Sequence, residues 1–377
     1  MPSPAESLRL LDAEGLLRRQ RPLDSATGVR VIREGRTLWN FASNDYLGLA
    51  RHPRIEAALT EGVQRFGAGS AASRLVCGTL PPHRMLEDAL AAAKQTEAAL
   101  TFSSGFATAL GSIPAIVGKS DFIILDKLAH ACLVDAARLS GATLRVYPHN
   151  DLEKLARLLS STRSKNADAR ILVVTETVFS MDGDLCPLRE TVELTEQYDA
   201  LLLIDEAHGF GVLGEHGMGL AEQEGLQQRV AFQMGTLSKS AGLSGGYLAA
   251  SREWIDLLTN RARSFIYSTA PPPCLAHAAI ASLDLIRSDE GKKLRQKLRE
   301  NISILSKSPT PIIPIVLGSN EAALAAASDL ETAGFLVPAI RFPTVPRGTA
   351  RLRVSISAAH PAAAIEELRS FLPAARR

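Results

Sequence analysis

The sequence predicts an α/β fold. A mostly parallel sheet, covered by helices on both faces, forms a large domain, and a smaller α/β domain follows at the C-terminus. Short apolar runs rich in β-branched residues recur between residues 121 and 251, and helix-like segments separate most of them. Strands that are apolar throughout, instead of alternating between apolar and polar residues, are typical of parallel sheets buried on both faces.

Six strand-like runs make up the predicted large sheet. In chain order they are DFIIL (121–125), TLRVY (143–147), RILVVTE (170–176), ALLLID (200–205), VAFQMGT (230–236) and GGYLAAS (245–251). The clearest helical segments between them are DLEKLARLLSS (151–161) and LRETVELTEQY (188–198). Ligands of such sheets bind at the carboxyl ends of the strands. The polar residues that follow these strands are therefore the first candidates for a functional site.

The last part of the chain changes character at PPPC (271–274). A helical stretch follows over 275–305, and two strand signals come after it, PIIPIVLG (311–318) and RLRVSIS (351–357). A short amphipathic helix is predicted within the first 22 residues. The predicted domains are an N-terminal helix and arm (1–45), a large domain (46–270) and a smaller α/β domain (271–377).

Composition excludes several classes of protein. The 377 residues carry a net charge of +2, too balanced to predict a nucleic-acid or membrane surface. No apolar run approaches the roughly 20 residues of a membrane span, and no signal-peptide core is present, so a cytoplasmic protein is expected. The four cysteines contain no Cys-x-x-Cys pair, and neither a disulfide framework nor a metal site is predicted.

Residues 205–208 raise a competing interpretation, because Asp-Glu-Ala-His is the nucleotide-hydrolysis box of a helicase family. Such an enzyme, or any P-loop NTPase, also needs Gly-x-x-x-x-Gly-Lys-Ser/Thr to wrap the phosphates. The best candidate, GSIPAIVGKS (111–120), has Ile113 where the first glycine is required, and Pro114 removes a backbone donor. This segment fits a helix end with Gly118 as its C-cap instead. The nucleotide-hydrolysis reading is therefore disfavoured.

Lys239 lies among small residues in the loop GTLSKSAGLSGG (235–246), directly after a predicted strand. A lone loop lysine is most often simply solvated, but Asp205 ends the neighbouring predicted strand. Together they fit pyridoxal 5'-phosphate (PLP), which needs a lysine to form a Schiff base and a carboxylate to keep the ring nitrogen protonated. His208, three residues after Asp205, is placed to meet the ring's phenolic oxygen; alternatively it is a turn residue.

Two further segments complete this pattern. Ser103, Ser104 and Gly105 precede a helical pattern, and a helix N-terminus suits a phosphate group. The alternative is an ordinary N-cap serine. His130 follows the DFIIL strand, where an imidazole could stack on the PLP ring; the alternative is a helix-capping or core histidine. Each signal is moderate alone, and their placement at successive strand ends makes the combination strong.

Eight blocks in order resemble the α-oxoamine synthases, a branch of the aspartate aminotransferase-like (fold-type I) PLP enzymes. The blocks are NFASNDYLGLARHP (40–53), GAGSAASRLVCGTLPPHRMLE (67–87), FSSGFATAL (102–110), ETVFSMDGDLCPL (176–188), IDEAHGFGVLGEHGMG (204–219), GTLSKSAGLSGG (235–246), IYSTAPPP (266–273) and FPTVPRGTARLRVSISAAH (342–360). The resemblance covers nearly the whole chain and implies the aspartate aminotransferase-like fold. One departure is Cys132, which stands where the family usually has serine in His-Ala-Ser; another is GSAAS (69–73), where the family usually has Gly-x-Gly-Gly.

The resemblance also implies roles for individual residues. Lys239 would be the Schiff-base lysine, Asp205 the partner of the ring nitrogen, and His208 the partner of the ring hydroxyl. His130 would stack on the ring. The other implied cofactor-binding residues are Ser104, Gly105, Phe106, Ser180 and Thr236, with Ser268 and Thr269 reaching phosphate across a homodimer interface. The implied ligands of the amino acid's carboxylate are Asn44 and Arg353, a natural task for a guanidinium group.

The implied activity is the decarboxylative condensation of a small amino acid with an acyl thioester. The blocks SRLVCG, YSTAPPP, IRSDEG and TVPRGTARLR favour the branch that joins L-alanine to a pimeloyl thioester in biotin biosynthesis. Glycine C-acetyltransferase, 5-aminolevulinate synthase and serine palmitoyltransferase are the alternatives within the family. The far carboxylate of a pimeloyl chain needs a positive partner. Arg18 and Arg341 align with the family arginines linked to the acyl end and the product; alternatively, the N-terminal arginines form a solvated helix end.

Overall fold

The computed structural model describes residues 2–373. The strands, in chain order, are β1 (Arg30–Arg33), β2 (Arg36–Asn40), β3 (Ala98–Phe102), β4 (Phe122–Asp126), β5 (Thr143–Tyr147), β6 (Ile171–Glu176), β7 (Leu201–Asp205), β8 (Phe232–Thr236), β9 (Gly246–Ala250), β10 (Ile312–Gly318), β11 (Phe335–Leu336), β12 (Ala339–Ile340) and β13 (Ala350–Ser355).

The helices are α1 (Pro4–Ala13), α2 (Pro53–Phe66), α3 (Pro81–Lys94), α4 (Gly105–Ile116), α5 (Ala131–Ser140), α6 (Leu152–Arg163), α7 (Leu188–Gln197), α8 (Leu220–Gln223), α9 (Arg252–Arg261), α10 (Arg263–Ile266), α11 (Pro273–Arg287), α12 (Asp289–Leu305), α13 (Asn320–Thr332) and α14 (Ala362–Phe371). Single helical turns lie at Leu49–Arg51, Arg74–Gly78 and Gln227–Arg229.

The large sheet has seven strands in the order β3-β9-β8-β7-β6-β4-β5. Strands β5, β4, β6, β7 and β8 run parallel, whereas β9 is antiparallel to both β8 and β3. All six predicted strands are present, and the predicted mostly parallel sheet is confirmed. Strand β3 was not predicted, because its sequence AALTF is rich in alanine, which disfavours strands when judged by propensity alone.

The core of this sheet explains the apolar strand sequences. Every residue of β6 and β8 is buried. The main apolar cluster joins residues of the central strands with one face of α4 and α5, including Leu172, Leu203, Ile113 and Leu133. Fully burying an aliphatic side chain contributes about 1.5–3 kcal/mol. The polar groups, by contrast, lie at the strand ends. The apolar core therefore fixes the position of the sheet edge that carries these polar side chains.

Helix α4 corrects one expectation. It ends at Ile116 with the extended residue Val117 as its C-cap, so the predicted C-cap at Gly118 is wrong. The earlier glycine has a packing role instead. A Cβ on Gly111 would lie 2.2 Å from the Ser264 hydroxyl, so glycine lets α4 approach α10 closely.

The predicted helical stretch 275–305 contains two helices. Helix α11 ends at Arg287, and Ser288 caps it in an extended conformation (φ −79°, ψ 173°) before α12 begins. The extended backbone of Ser288 cannot continue a helix, and sequence periodicity does not reveal such a one-residue interruption.

The chain divides into two compact units. One contains the seven-stranded sheet and spans Leu49–Ser180 and Asp184–Gln296. The other contains the described residues up to Gly48, the segment Met181–Gly183 and the described residues from Lys297 onward. It holds two three-stranded sheets, β1-β2-β11 and β10-β13-β12. These divisions, at 48/49 and 296/297, differ from the predicted boundaries at 45/46 and 270/271. The second boundary lies later than predicted because α11, which was expected to belong to the C-terminal domain, packs on α2 and α3 of the large unit.

Candidate active site

Three parallel strands end in polar residues at one edge of the large sheet. Strand β6 ends at Glu176 and β7 at Asp205, and these two residues are register partners. Strand β8 ends at Thr236, and Asp205 is paired with Met234 on this strand. The carboxyl ends of parallel strands meet at the same edge. The predicted clustering of polar groups at these ends is therefore a property of the fold.

Lys239 and His208 are in direct contact. The Lys239 Nζ lies 2.8 Å from the His208 Nε2, although 31 positions separate the two residues in the chain. His208 is buried, and Lys239 is half-buried. The loop after β8 turns back at Gly242, whose φ is +70°. A Cβ on Gly242 would lie 2.4 Å from the Ala50 backbone nitrogen, so this tight turn requires glycine.

Asp205 is a buried carboxylate at the end of β7. Its Oδ1 accepts a hydrogen bond from the Ala207 N–H at 2.9 Å. Burial raises the pKa of Asp205 above its ordinary value, while the positive charge of Lys239 and the hydrogen bond from Ala207 oppose this rise. A buried carboxylate of this kind is stabilised in its ionised form when a cationic group faces it. Asp205 is thus suited to hold a protonated ring nitrogen.

Helix α4 begins beside the end of β8. The Ser104 hydroxyl caps this helix by accepting a hydrogen bond from the Ala107 N–H at 3.0 Å. A Cβ on Gly105 would lie 3.5 Å from the Thr236 side chain, which places the first turn of α4 next to Thr236. The Thr236 and Ser238 hydroxyls are 2.7 Å apart. Backbone N–H groups of a helix N-terminus, together with hydroxyls, form a typical phosphate-binding arrangement.

His130 caps helix α5, as the helix-capping alternative proposed. Its Nδ1 accepts from the Cys132 N–H at 3.2 Å and lies 3.0 Å from the Cys132 Sγ. Because Nδ1 is an acceptor, the neutral ring carries its proton on Nε2. Desolvation lowers the pKa of His130, with Asp205 opposing this shift, so the neutral form is favoured. Capping fixes the ring's orientation and is compatible with a second role on its exposed face.

Ser180 and Thr269 occupy different surroundings. Ser180 is buried in the loop that follows β6, and this loop closes through a bridge between Val178 and Leu185. Thr269 is exposed and forms an isolated bridge with Ser73. Phe106 is also exposed, with 45% of its surface accessible.

The four predicted substrate residues lie in the smaller unit, where Arg353 contacts Asn44, and Arg18 and Arg341 each contact another residue. The buried Arg353 donates from Nη1 to the Asn44 Oδ1 at 3.0 Å, and the Tyr46 hydroxyl donates to the same oxygen at 3.0 Å. The exposed Arg18 donates to the Thr344 hydroxyl at 3.3 Å. Arg341 donates to the Gly15 carbonyl. The structure thus brings the segment after α1 together with residues 341–344, and Asn44 together with Arg353.

Sequence reasoning missed two features of the large unit. Glu176 ends the predicted strand 170–176, but it was assigned no role; its position at a strand end next to that of Asp205 was the available signal. His149 lies between two carboxylates, with Nδ1 3.1 Å from the Asp126 Oδ1 and Nε2 2.7 Å from the Asp184 Oδ2. No sequence pattern links these three residues, because the contact depends on how two loops meet.

Within residues 2–373, none of the helices combines the length and the apolar character that crossing a bilayer requires. The same described residues contain no cluster of three or more His, Cys, Asp or Glu side chains that could hold a metal ion.

Comparisons with known proteins identify the family. Residues 36–372 match the family model of the class I and II aminotransferases. The 8-amino-7-oxononanoate synthase of Geobacter sulfurreducens is 48% identical over 367 residues, covering 94% of this chain and 93% of its own length.

Two solved structures share the fold. A serine palmitoyltransferase from S. paucimobilis, solved with a PLP adduct bound, superposes with a TM-score of 0.90 at 28% identity, covering 97% of this chain and 94% of its own. An 8-amino-7-oxononanoate synthase from Francisella tularensis superposes with a TM-score of 0.76 at 27% identity, covering 89% and 96%. The predicted aspartate aminotransferase-like fold is confirmed, and the chain belongs to the 8-amino-7-oxononanoate synthases within the class I and II aminotransferase family.

Proposed function

We propose that this protein condenses L-alanine with a pimeloyl thioester, with PLP as cofactor, to give 8-amino-7-oxononanoate, CO2 and the free thiol carrier in biotin biosynthesis. One observation carries the proposal. The contact between Lys239 and His208 lies in the same strand-end cluster as the buried Asp205, in a chain that is 48% identical to a synthase of this name. A cytoplasmic location and a homodimer remain part of the proposal.

The residues present fit PLP. The buried Asp205 offers a carboxylate whose ionised form needs a cation, and a protonated pyridine nitrogen is such a group. Lys239 offers a primary amine beside an imidazole. The first turn of α4, next to the Thr236 hydroxyl, offers donors for a phosphate. The set thus supplies an amine, a carboxylate and an anion site, the three groups that PLP requires.

When bound, PLP supplies an aldehyde that takes up amino groups and a ring that withdraws electrons from the α-carbon of the amino acid. We assign Lys239 two tasks: its Nζ holds the cofactor covalently at rest and moves the α-proton of the substrate during turnover. His208 Nε2, 2.8 Å away, orients that amine. Asp205 would hold the proton on the ring nitrogen, and the imidazole of His130, oriented by its capping of α5, would bind the ring.

The amino acid's carboxylate is assigned to Arg353 and Asn44. Arg353 is 4% exposed, and its guanidinium is already oriented by Asn44 and by the Ser355 hydroxyl at 2.8 Å. A guanidinium held in this way can bind a carboxylate through two parallel hydrogen bonds without a large loss of side-chain entropy.

The far carboxylate of the pimeloyl chain is assigned to the Arg18–Arg341 region. Arg18 contacts Thr344, and Arg341 contacts Gly15, so guanidinium groups from both ends of the chain share one surface. The Arg18 side chain is exposed to solvent, so its charge is accessible to a ligand. These contacts support the assignment of Arg18 and Arg341 to the acyl end and the product.

The homodimer is supported by the surface around Thr269. This exposed residue pairs with Ser73, and Val76 and Tyr267 nearby in the chain are 80% and 71% exposed. Large apolar side chains exposed together with a predicted phosphate ligand indicate a surface that a second copy covers. In the proposed dimer, Ser268 and Thr269 serve the phosphate of the partner's site.

A substrate panel tests the function. The purified protein is assayed with alanine, glycine and serine against pimeloyl, acetyl, succinyl and palmitoyl thioesters, with detection of CO2, free thiol and the aminoketone. We expect the highest kcat/KM for alanine with the pimeloyl thioester. A preference for acetyl or palmitoyl thioesters would overturn the substrate assignment, whereas the cofactor site would stand.

A further inference from the structure

Glu176 and Asp205 are two acidic residues placed side by side in the protein interior. They end adjacent parallel strands and are register partners, so their side chains leave the same face of the sheet about 5 Å apart. Glu176 is 2% exposed and Asp205 is 5% exposed. The mechanism above uses Asp205 and leaves Glu176 without a task.

The two carboxyl groups have different partners. The Asp205 carboxylate accepts a hydrogen bond from the Ala207 N–H and interacts with the positive charge of Lys239. The Glu176 carboxyl accepts hydrogen bonds from the backbone of His130 and Ser180, but its Oε1 has no hydrogen-bond partner among the described residues. A buried carboxylate oxygen without a partner is costly when charged and much less costly when the group is neutral.

Only one of these neighbours can be charged without a large penalty. Burial, and then the charge of Asp205, raise the pKa of Glu176 well above its ordinary value, although Lys239 opposes this rise. The Cys132 thiol also faces this group, and burial raises the pKa of that thiol too. Two buried carboxyl groups that share a site titrate as a pair in which one member keeps its proton.

We propose that Glu176 is a positioning residue that stays protonated beside Asp205, leaving the negative charge of the pair on Asp205, and that it ties the backbone at His130 and Ser180 to the end of β6. The protonation state of Glu176 depends only on the residues of this chain and not on the cofactor. The positioning role rests on the proposed function, because His130 and Ser180 are assigned there to the cofactor.

Thermal unfolding of the cofactor-free protein tests the protonation state. Glu176→Gln replaces a protonated acid by a neutral group of the same shape. In the unfolded chain Glu176 ionises above about pH 4.3, whereas in the folded protein it keeps its proton, so rising pH destabilises the wild type but not the variant. We expect the Tm of Glu176→Gln, relative to wild type, to increase by about 3 °C per pH unit between pH 5 and pH 7.

The matched control is Glu253→Gln, which removes an exposed carboxylate from α9 and corrects for the loss of one ionised carboxylate from the unfolded chain. A difference between Glu176→Gln and wild type that stays flat or falls with pH, after this correction, overturns the protonation claim.

Binding of PLP to the cofactor-free protein tests the positioning role. We expect Glu176→Gln to keep the dissociation constant within about threefold of wild type, and Glu176→Met, which cannot accept the two backbone hydrogen bonds, to raise it about tenfold. Bound PLP absorbs visible light, and this absorption band can be titrated with pH. The midpoint of that titration should be the same in Glu176→Gln as in wild type. Equal binding by wild type and Glu176→Met, or equal weakening by both variants, overturns the role. If wild-type protein binds no PLP at all, the proposed function fails, while the melting experiment still decides the protonation state.

Discussion

Replacing His149 by leucine should lower the Tm of the protein, and by an amount that depends on pH. Both ring nitrogens of His149 face carboxylate oxygens, those of Asp126 and Asp184, so both must carry hydrogens and the ring is an imidazolium. His149 also packs edge-on against Phe179, next to Ser180. The change therefore disturbs the loop that carries a proposed cofactor ligand.

The magnitude follows from the pKa. Burial lowers the pKa of His149, but the hydrogen bonds and charges of Asp126 and Asp184 outweigh it and raise the pKa from its ordinary 6.5 to about 10. At 1.36 kcal/mol per unit this rise corresponds to at most about 5 kcal/mol. The side chain is 24% exposed, so solvent screening reduces the contribution to about 2–4 kcal/mol. In a unit of this size the corresponding shift is about 5–12 °C in Tm.

The pKa is raised in the folded state, so the stabilisation is fully present below pH 6.5 and is lost as pH rises through about 10. Differential scanning calorimetry at pH 6 and pH 10 should therefore show a large gap between wild type and His149→Leu at pH 6 and a small one at pH 10. His216→Leu is the control, because His216 also pairs with a carboxylate, that of Glu222, but its own side chain is 56% exposed, so the contact contributes less. An equal or larger gap for His149→Leu at pH 10 would refute the imidazolium assignment.

Three other variants test the proposed active site. Asp205→Asn should keep the fold but lower the rate of α-proton exchange on alanine by about 100-fold or more, because an amide does not keep the ring nitrogen protonated; full exchange, followed by proton NMR in D2O, would contradict the role. Mixing Lys239→Ala and Thr269→Ala chains should restore one sound site per mixed dimer, and a fully active monomer in sedimentation would exclude the shared site. Arg18→Ala should raise KM for the pimeloyl thioester several-fold without changing alanine binding. The control Arg19→Ala, at the neighbouring position, should leave this KM unchanged. Equal effects of the two variants would show that Arg18 contributes only general surface charge.

The sequence predicted the large sheet well because its strands are continuous apolar runs whose burial leaves little choice of conformation. Strand β3 escaped prediction because alanine and leucine do not distinguish a buried strand from a helix. The interruption at Ser288 escaped because one extended residue does not disturb helical periodicity.

Candidate site residues could be predicted from the sequence where they lie at the end of a predicted strand or soon after it. Asp205, Thr236 and Lys239 lie at or just after strand ends, so local reading located them. The interactions of Glu176 and His149 could not be derived in this way. They depend on strand register and on the meeting of two loops, which are tertiary properties that no local pattern encodes.

The central claim is that Lys239 carries the cofactor, and reductive labelling tests it most directly. The protein loaded with PLP is treated with borohydride, digested and mapped by mass spectrometry, with cofactor-free protein as the control. We predict loss of the visible band on reduction and a single stable cofactor label on the peptide that contains Lys239. A label on another lysine, or normal turnover by a Lys239→Ala protein, would contradict the claim.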